Sequence, residues 1–315
     1  MLRFVLRRLA SALPTLVGMS LLIFLMVRLI PGNAVDVLSG GDVLANAQSK
    51  AQLRKALGLD HSVPVQYFNW IGHLVRGDFG TSFITGQSVG GTLASALPVT
   101  IELTLVATVL ALLIGLPLGV ASAAKPNGIR DFGLRGFSLV GLAFPDFWIA
   151  TVLLLLTSVE FQWTPPLIWT SFFSHPLTNL EEVAMPAGIL AVFLLASIMR
   201  MTRTSMLEVQ RQDFVRTAHA KGIHPRRVRY RHTLRNALLP VMSLAGAQVA
   251  ALLGGATILE TIFAYPGVGY TLTHAIYTRD YPVIEDSALM LAVIVVVLNL
   301  LIDLSYMVLD PRVRQ

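Results

Sequence analysis

Four carboxylates fall inside long apolar runs: Glu102, Asp146, Glu260 and Asp303. A charge at bilayer depth is costly, so such groups are either paired or kept for a function. Asp146, in Phe-Pro-Asp-Phe-Trp, is the deepest. It follows Pro145, whose missing donor frees a backbone carbonyl and can break a helix, and it is the foremost candidate for lining a translocation path. Glu102 is expected about one turn inside a helix, Glu260 and Asp303 near helix ends, where water or an interfacial arginine can satisfy them. Three histidines, His219, His224 and His232, invite a metal reading. Their spacings of five and eight, with no carboxylate between, do not match the i, i+4 pairing of a helical zinc site, and no metal is expected. There is no cysteine, no G-x-S-x-G and no G-x-x-x-x-G-K-[ST], since none of the four lysines follows a glycine. The chain is expected to be no enzyme and to bind no cofactor itself.

The elements that would hold these groups are membrane helices. Hydrophobic residues make up 54% and charged ones only 13%, against about 25% charged in globular domains. The net charge of +6 is then a topology signal rather than a nucleic-acid patch. Six apolar segments, Leu9–Val27, Val99–Val120, Gly136–Thr157, Ala184–Met199, Leu238–Phe263 and Val283–Leu309, are each near the roughly 20 residues that span hydrocarbon. The first is too long for a cleaved leader and lacks a small-x-small site behind it. The expected fold is an all-α integral membrane protein with six transmembrane helices. Three parts follow: an N-terminal helix over 1–32, a polar, Gly-rich cap over 33–97 with amphipathic pieces at Gln52–Leu59 and Val65–Leu74, and a five-helix core over 98–315.

Basic residues set the orientation. Arg3, Arg7, Arg8, Lys125, Arg130, Arg135, ten residues between Arg200 and Arg235, Arg312 and Arg314 fall on one side, 18 of the 24 Lys and Arg. Cytoplasmic loops carry that excess, which puts both termini and the loop 200–237 in the cytoplasm and the cap outside. Trp70, Trp163 and Trp169 then fall near the outer interface, where indole rings collect.

Within the basic loop, Asp213–Pro240 reads DFVRTAHAKGIHPRRVRYRHTLRNALLP. Asp213 is a good N-cap, and Phe214, Val215 and Ala218 fall on one stripe of the helix that follows. Gly222 is placed to stop that helix, with Ile223 packing back on its last turn. His224-Pro225 starts a second, arginine-rich helix, because proline suits a first turn. Contact with anionic headgroups explains the arginines. A capped helix with small residues Thr217, Ala218 and Ala220, stopped by glycine and proline, suits docking into another protein's groove.

This segment resembles the coupling loop of the membrane subunits of ATP-binding-cassette importers. Its form, DFVRTAHAKGI then LRNALLP, is similar to the dipeptide/oligopeptide (peptide/nickel) permease branch, B-type subunit. The start LRFVLRRLASALPTLVGMSLLIFLMVRLIPG, the segment LRKALGLDHSVPVQYFNWIGHLVRGDFGTSF, the turn ETIFAYPGVGYTLTHAIYTRDYP and the ending NLLIDLSYMVLDPRVR look like that branch too. Arg216-Thr217 replaces the Glu-Ala pair of the generic loop, and the stretch from Gly222 to Pro240 is longer than usual.

The resemblance implies a type I importer permease fold in a prokaryotic plasma membrane. It also implies a second homologous permease subunit, two ATPase subunits that hold ATP and Mg, and an extracytoplasmic substrate-binding protein. By residue match, Asp213, Phe214, Val215, Arg216, Thr217, Ala218, Ala220, Lys221, Gly222, Ile223, His224 and Pro225 would seat in the ATPase groove. The implied cargo is di- or oligopeptides. Relatives of the branch carry nickel complexes, glutathione or oligosaccharides instead. An autonomous ion-coupled carrier would also use six helices, but should show internal repeats.

Overall fold

The computed structural model describes residues 2–29, 35, 47–166 and 168–309. In chain order the helices are α1 (Leu2–Leu29), α2 (Ala47–Ala56), α3 (Val63–Val75), α4 (Val89–Ala124), α5 (Ile129–Ala143), α6 (Asp146–Glu160), α7 (Pro176–Gln210), α8 (Asp213–Ala220), α9 (Pro225–Ile262), α10 (Val268–Thr278) and α11 (Tyr281–Leu309). Among the described residues the only β pairing is an isolated bridge between Thr81 and Ser88.

Ala10–Leu29 of α1, all of α4, α7 and α9, and Tyr281–Ile302 of α11 are each long and apolar enough to cross a bilayer. A sixth candidate is the pair α5 and α6, which together are long and apolar enough to cross a bilayer but are bent by 99°. The apolar segment Gly136–Thr157 is thus two helices, broken where Pro145 was expected to be able to break one. The break lies at the proline that precedes Asp146: Phe144 and Pro145 are extended, and α6 restarts at Asp146. The other spans are longer than their apolar cores. At 36, 35 and 38 residues, α4, α7 and α9 run about 52–57 Å at 1.5 Å per residue, well past the roughly 30 Å of hydrocarbon. Their polar ends read as loop in sequence because they need not be apolar.

The chain divides into two compact units, Met1–Thr100 with Pro266–Val296, and Ile101–Tyr265 with Val297–Gln315. In the first unit a buried cluster of Val27, Val89, Leu93, Ala96, Val268, Ala275 and Ile284 joins four helices. Phe24 of α1 stacks on Trp70 and meets Tyr67 edge-on, which pins α3 against it. The Val268 N–H donates to Thr100 Oγ1 at 2.9 Å. Tyr265 to Gly267 form a loop, and Gly267 caps α10, which begins at Val268.

In the second unit α7 is the central helix, buried along most of its length and packed most extensively on α9 and then on α5. Glycines permit the close approach. A Cβ on Gly119 would lie 2.6 Å from the Thr202 side chain and 2.7 Å from the Met199 carbonyl, and one on Gly115 would lie 2.9 Å from the Leu195 carbonyl. Gly115 and Gly119 are a small-x-x-x-small pair, the spacing that lets membrane helices touch backbone to backbone.

Candidate coupling surface and membrane carboxylates

The α8 segment is a short helix standing off the core on two residues. Val215 and Ala218 are buried in a cluster with Val120, Ala123, Met206, Val209 and Val228, while Asp213, Phe214, Arg216, Thr217, Ala220 and Lys221 are exposed. Two expectations are corrected. Gln212, not Asp213, occupies the N-cap position; Asp213 is the first helical residue, 3.5 Å from Arg216, where its charge complements the helix dipole. Phe214 does not share the buried stripe: it is 41% exposed, because α8 has room for one narrow seam against the core.

The expected stop is present in full. Gly222 has φ +74°, and its N–H donates to the His219 carbonyl at 2.9 Å while the Ile223 N–H donates to the Ala218 carbonyl at 3.3 Å. Those two bonds with glycine at the first position past the cap make a Schellman motif, and Ile223 packs on the α8 cluster. His224 then caps α9, its Nδ1 accepting from the Arg226 N–H at 3.3 Å, with Pro225 in the first turn. Arg226, Arg227, Arg231 and Arg235 are exposed. The basic stretch is more regular than a loop: Val228–Leu234 is a π-helix running into the α-helix from Arg235. His219 Nδ1 lies 3.0 Å from the Val215 carbonyl.

The four carboxylates occupy different surroundings. Asp146 is the first residue of α6, half-buried, with Oδ2 3.1 Å from where a Cβ on Gly255 of α9 would stand. A side chain at 255 would crowd that carboxylate. Glu102 lies about four turns inside α4, deeper than expected, because the helix starts at Val89. Its Oε2 accepts from the Trp169 indole N–H at 3.0 Å, and its buried Oε1 has no hydrogen-bond partner among the described residues. Glu260 is fully buried near the end of α9. Asp303 lies in the last turns of α11, where its side chain is outside the described residues.

Several functional-looking groups escaped the sequence. Glu182 accepts from the Thr170 N–H at 2.7 Å and from the Thr170 hydroxyl at 3.0 Å, and the Tyr265 hydroxyl donates to the Glu182 carbonyl at 2.5 Å. Burial, then the charges of Glu182 and Glu102, push the Tyr265 phenol above its ordinary range. At the other end of the same unit, Asp131 is fully buried and receives both Nε and Nη2 of Arg203, at 2.7 and 2.8 Å, with the Ser122 hydroxyl and the Asn127 N–H. This clasp joins α4, the α4–α5 turn, α5 and α7.

The first unit has its own polar network. Arg28 meets Glu285 at 2.5 Å, lies over the Phe24 ring and donates to Gln66. Trp70 donates to Asp286 at 2.8 Å, and Asp280 accepts from the Ser82 hydroxyl and the Phe83 N–H. Asp78 is held below the usual carboxylate range by the Gly80 N–H and then by His73. Nothing in local spacing links residues some 200 positions apart, so no signal in a single sequence could have paired them.

Comparison with known proteins gives two family matches that together take in nearly the whole chain. The family described as the binding-protein-dependent transport system inner membrane component matches residues 115–315, and its N-terminal companion matches residues 1–104. A di/tripeptide transport system permease protein of Pseudomonas aeruginosa is 40% identical over 100% of this chain and 99% of its own length. An oligopeptide transport system permease protein of Bacillus subtilis is 37% identical over 100% of both.

Proposed function

Because the chain belongs to the binding-protein-dependent transport system inner membrane components, a multi-pass inner-membrane permease family, we propose that it is the membrane subunit through which an ATP-driven importer passes di- or oligopeptides. The observation that carries the mechanism is the α8–Gly222–Pro225 unit: a short helix with two buried anchors, an exposed outer face and a fixed stop. Asp213 to Pro225 would dock in a groove of an ATPase subunit, which supplies ATP and Mg²⁺. α8 shares its apolar cluster with α7 and α9, so a push on α8 is delivered to the two helices that dominate the second unit. The full assembly in this reading has a second homologous permease, two ATPases and an extracytoplasmic binding protein. Both termini and 200–237 face the cytoplasm, and the 33–97 segment meets the binding protein.

Asp146, with Glu102, Glu260 and Asp303 as further candidates, would line the path. The α5–α6 break supports Asp146 first, since irregular backbone at membrane depth is tolerated where it lines a cavity or is covered by protein.

Proteoliposomes holding the permease pair and the ATPases, supplied with the cognate binding protein, provide the test. ATP-dependent accumulation of a labelled tripeptide is expected. Accumulation of nickel complexes, glutathione or oligosaccharides with no peptide uptake would replace the peptide assignment while leaving the importer mechanism. Uptake that persists without ATPases would overturn the mechanism itself.

A further inference from the structure

Between α5 and α7 lies a cavity of about 260 Å³ on which Arg135, Arg200 and Arg203 converge, with Thr204 on the same wall and Leu139 and Met199 as its apolar lining. One carboxylate balances the three guanidinium groups. Asp131 takes Nε and Nη2 of Arg203, leaving Nη1 outside that bidentate pair. Arg135 and Arg200 are exposed and have no carboxylate partner among the described residues. Like charges gathered on one small cavity repel, and a bound anion turns that cost into attraction.

The surroundings decide which anion. Leu139 at 63%, Phe132 at 63% and Val140 at 57% exposure leave α5 with a broad apolar outer face beside the cavity, and α5 with α6 is long and apolar enough to enter a membrane. A ligand seated here meets guanidinium groups at one end and hydrocarbon along its flank. We propose that this cavity binds the phosphodiester headgroup of an anionic phospholipid, Arg135 and Arg200 pairing with the phosphate oxygens and the acyl chains lying along α5. Basic pockets between membrane helices are a recurrent mode of headgroup recognition. A free phosphate satisfies the arginines but leaves the apolar rim unused.

The test uses the intact importer complex in mild detergent, titrated with phosphatidylglycerol or phosphatidylcholine and read by native mass spectrometry. The native complex is expected to retain one more phosphatidylglycerol per copy of this subunit than R135Q/R200Q, whose affinity at this site should fall at least about tenfold because two charge-assisted hydrogen bonds to the phosphate are removed. R135K/R200K keeps the charge and should keep most of the binding, and the remote surface variant R76Q should match native. Equal retention in R135Q/R200Q and native overturns the proposal, as does equal retention of phosphatidylcholine. A third arm adds inorganic phosphate to delipidated complex. Phosphate bound at the arginines with no phosphatidylglycerol taken up would assign the cavity to a soluble anion and overturn the lipid reading.

Discussion

Replacing Gly222 isolates the proposed coupling turn from everything else in the molecule. A Cβ at this position would meet nothing within 4 Å, so the substitution creates no clash; the whole cost is the left-handed backbone, φ +74°. That cost is about 1–2 kcal/mol for an ordinary L-residue, smaller for asparagine and larger for a β-branched side chain. The turn cannot absorb unlimited strain. Two hydrogen bonds hold it, worth about 0.5–1.5 kcal/mol each, so a strain approaching their sum opens the turn instead. At 1–2 kcal/mol the equilibrium constant between closed and opened turn falls by a factor of about 5–30. Uptake per ATP hydrolysed should therefore rank native, Gly222→Asn, Gly222→Ala and Gly222→Val in descending order, with membrane levels of the protein unchanged because the site is exposed. Tripeptide uptake and phosphate release are measured together in proteoliposomes. A Gly222→Val protein that transports at the native ratio would refute the reasoning, and so would losses that do not follow the left-handed preference of the four residues.

Asp131→Asn leaves Arg203 short of its buried counter-charge and should cost toward the lower end of about 3–5 kcal/mol, since Arg203 keeps 19% of its side chain accessible; the paired change Asp131→Leu with Arg203→Met should recover most of the lost melting temperature in detergent. A cysteine in place of Asp146, in a chain with no native cysteine, should react with a water-borne thiol reagent in at least one nucleotide state, and protection in all of them removes Asp146 from the path. Tyr265→Phe strips a buried hydrogen bond to the Glu182 carbonyl and should lower stability by about 0.5–1.5 kcal/mol. Because the folded phenol titrates above its unfolded value of about 10, its contribution is complete below that pH and fades as the pH climbs past it. An alkaline fall in melting temperature should thus be shallower in the Phe variant.

What could be read from the chain alone depended on how local the controlling physics is. The Gly222 stop was legible because a left-handed residue followed by an apolar one is a four-residue signal, and the Pro145 break because proline acts on its own turn. Asp213 was misplaced by one position, since Gln212 and Asp213 can each precede the same seam and only the packing of Val215 and Ala218 selects the register. Glu102 was set near a helix start because Gly90-Gly91 and Pro98 make the first ten residues of α4, VGGTLASALP, read as loop, although Val89, Leu93 and Ala96 recur at helical spacing. The Gly115–Gly119 pair was visible in sequence, but its partner Thr202 was not. Asp131–Arg203, Arg28–Glu285 and Trp70–Asp286 span 72 to 257 positions, and only tertiary structure brings them together.

The seven-residue π segment at Val228–Leu234 stores a change of phase. A π turn holds roughly one residue more than an α turn, so drawing its bonds in from i−5 to i−4 would displace that residue. Everything on one side would then rotate by about 100° and slide by about 1.5 Å relative to the other. Arg226 and Arg227 stand before the segment and the membrane part of α9 after it. Tightening of that segment, between the proposed docking surface and the bilayer, would thus turn the side chains beyond it far more than it would shift them along the axis.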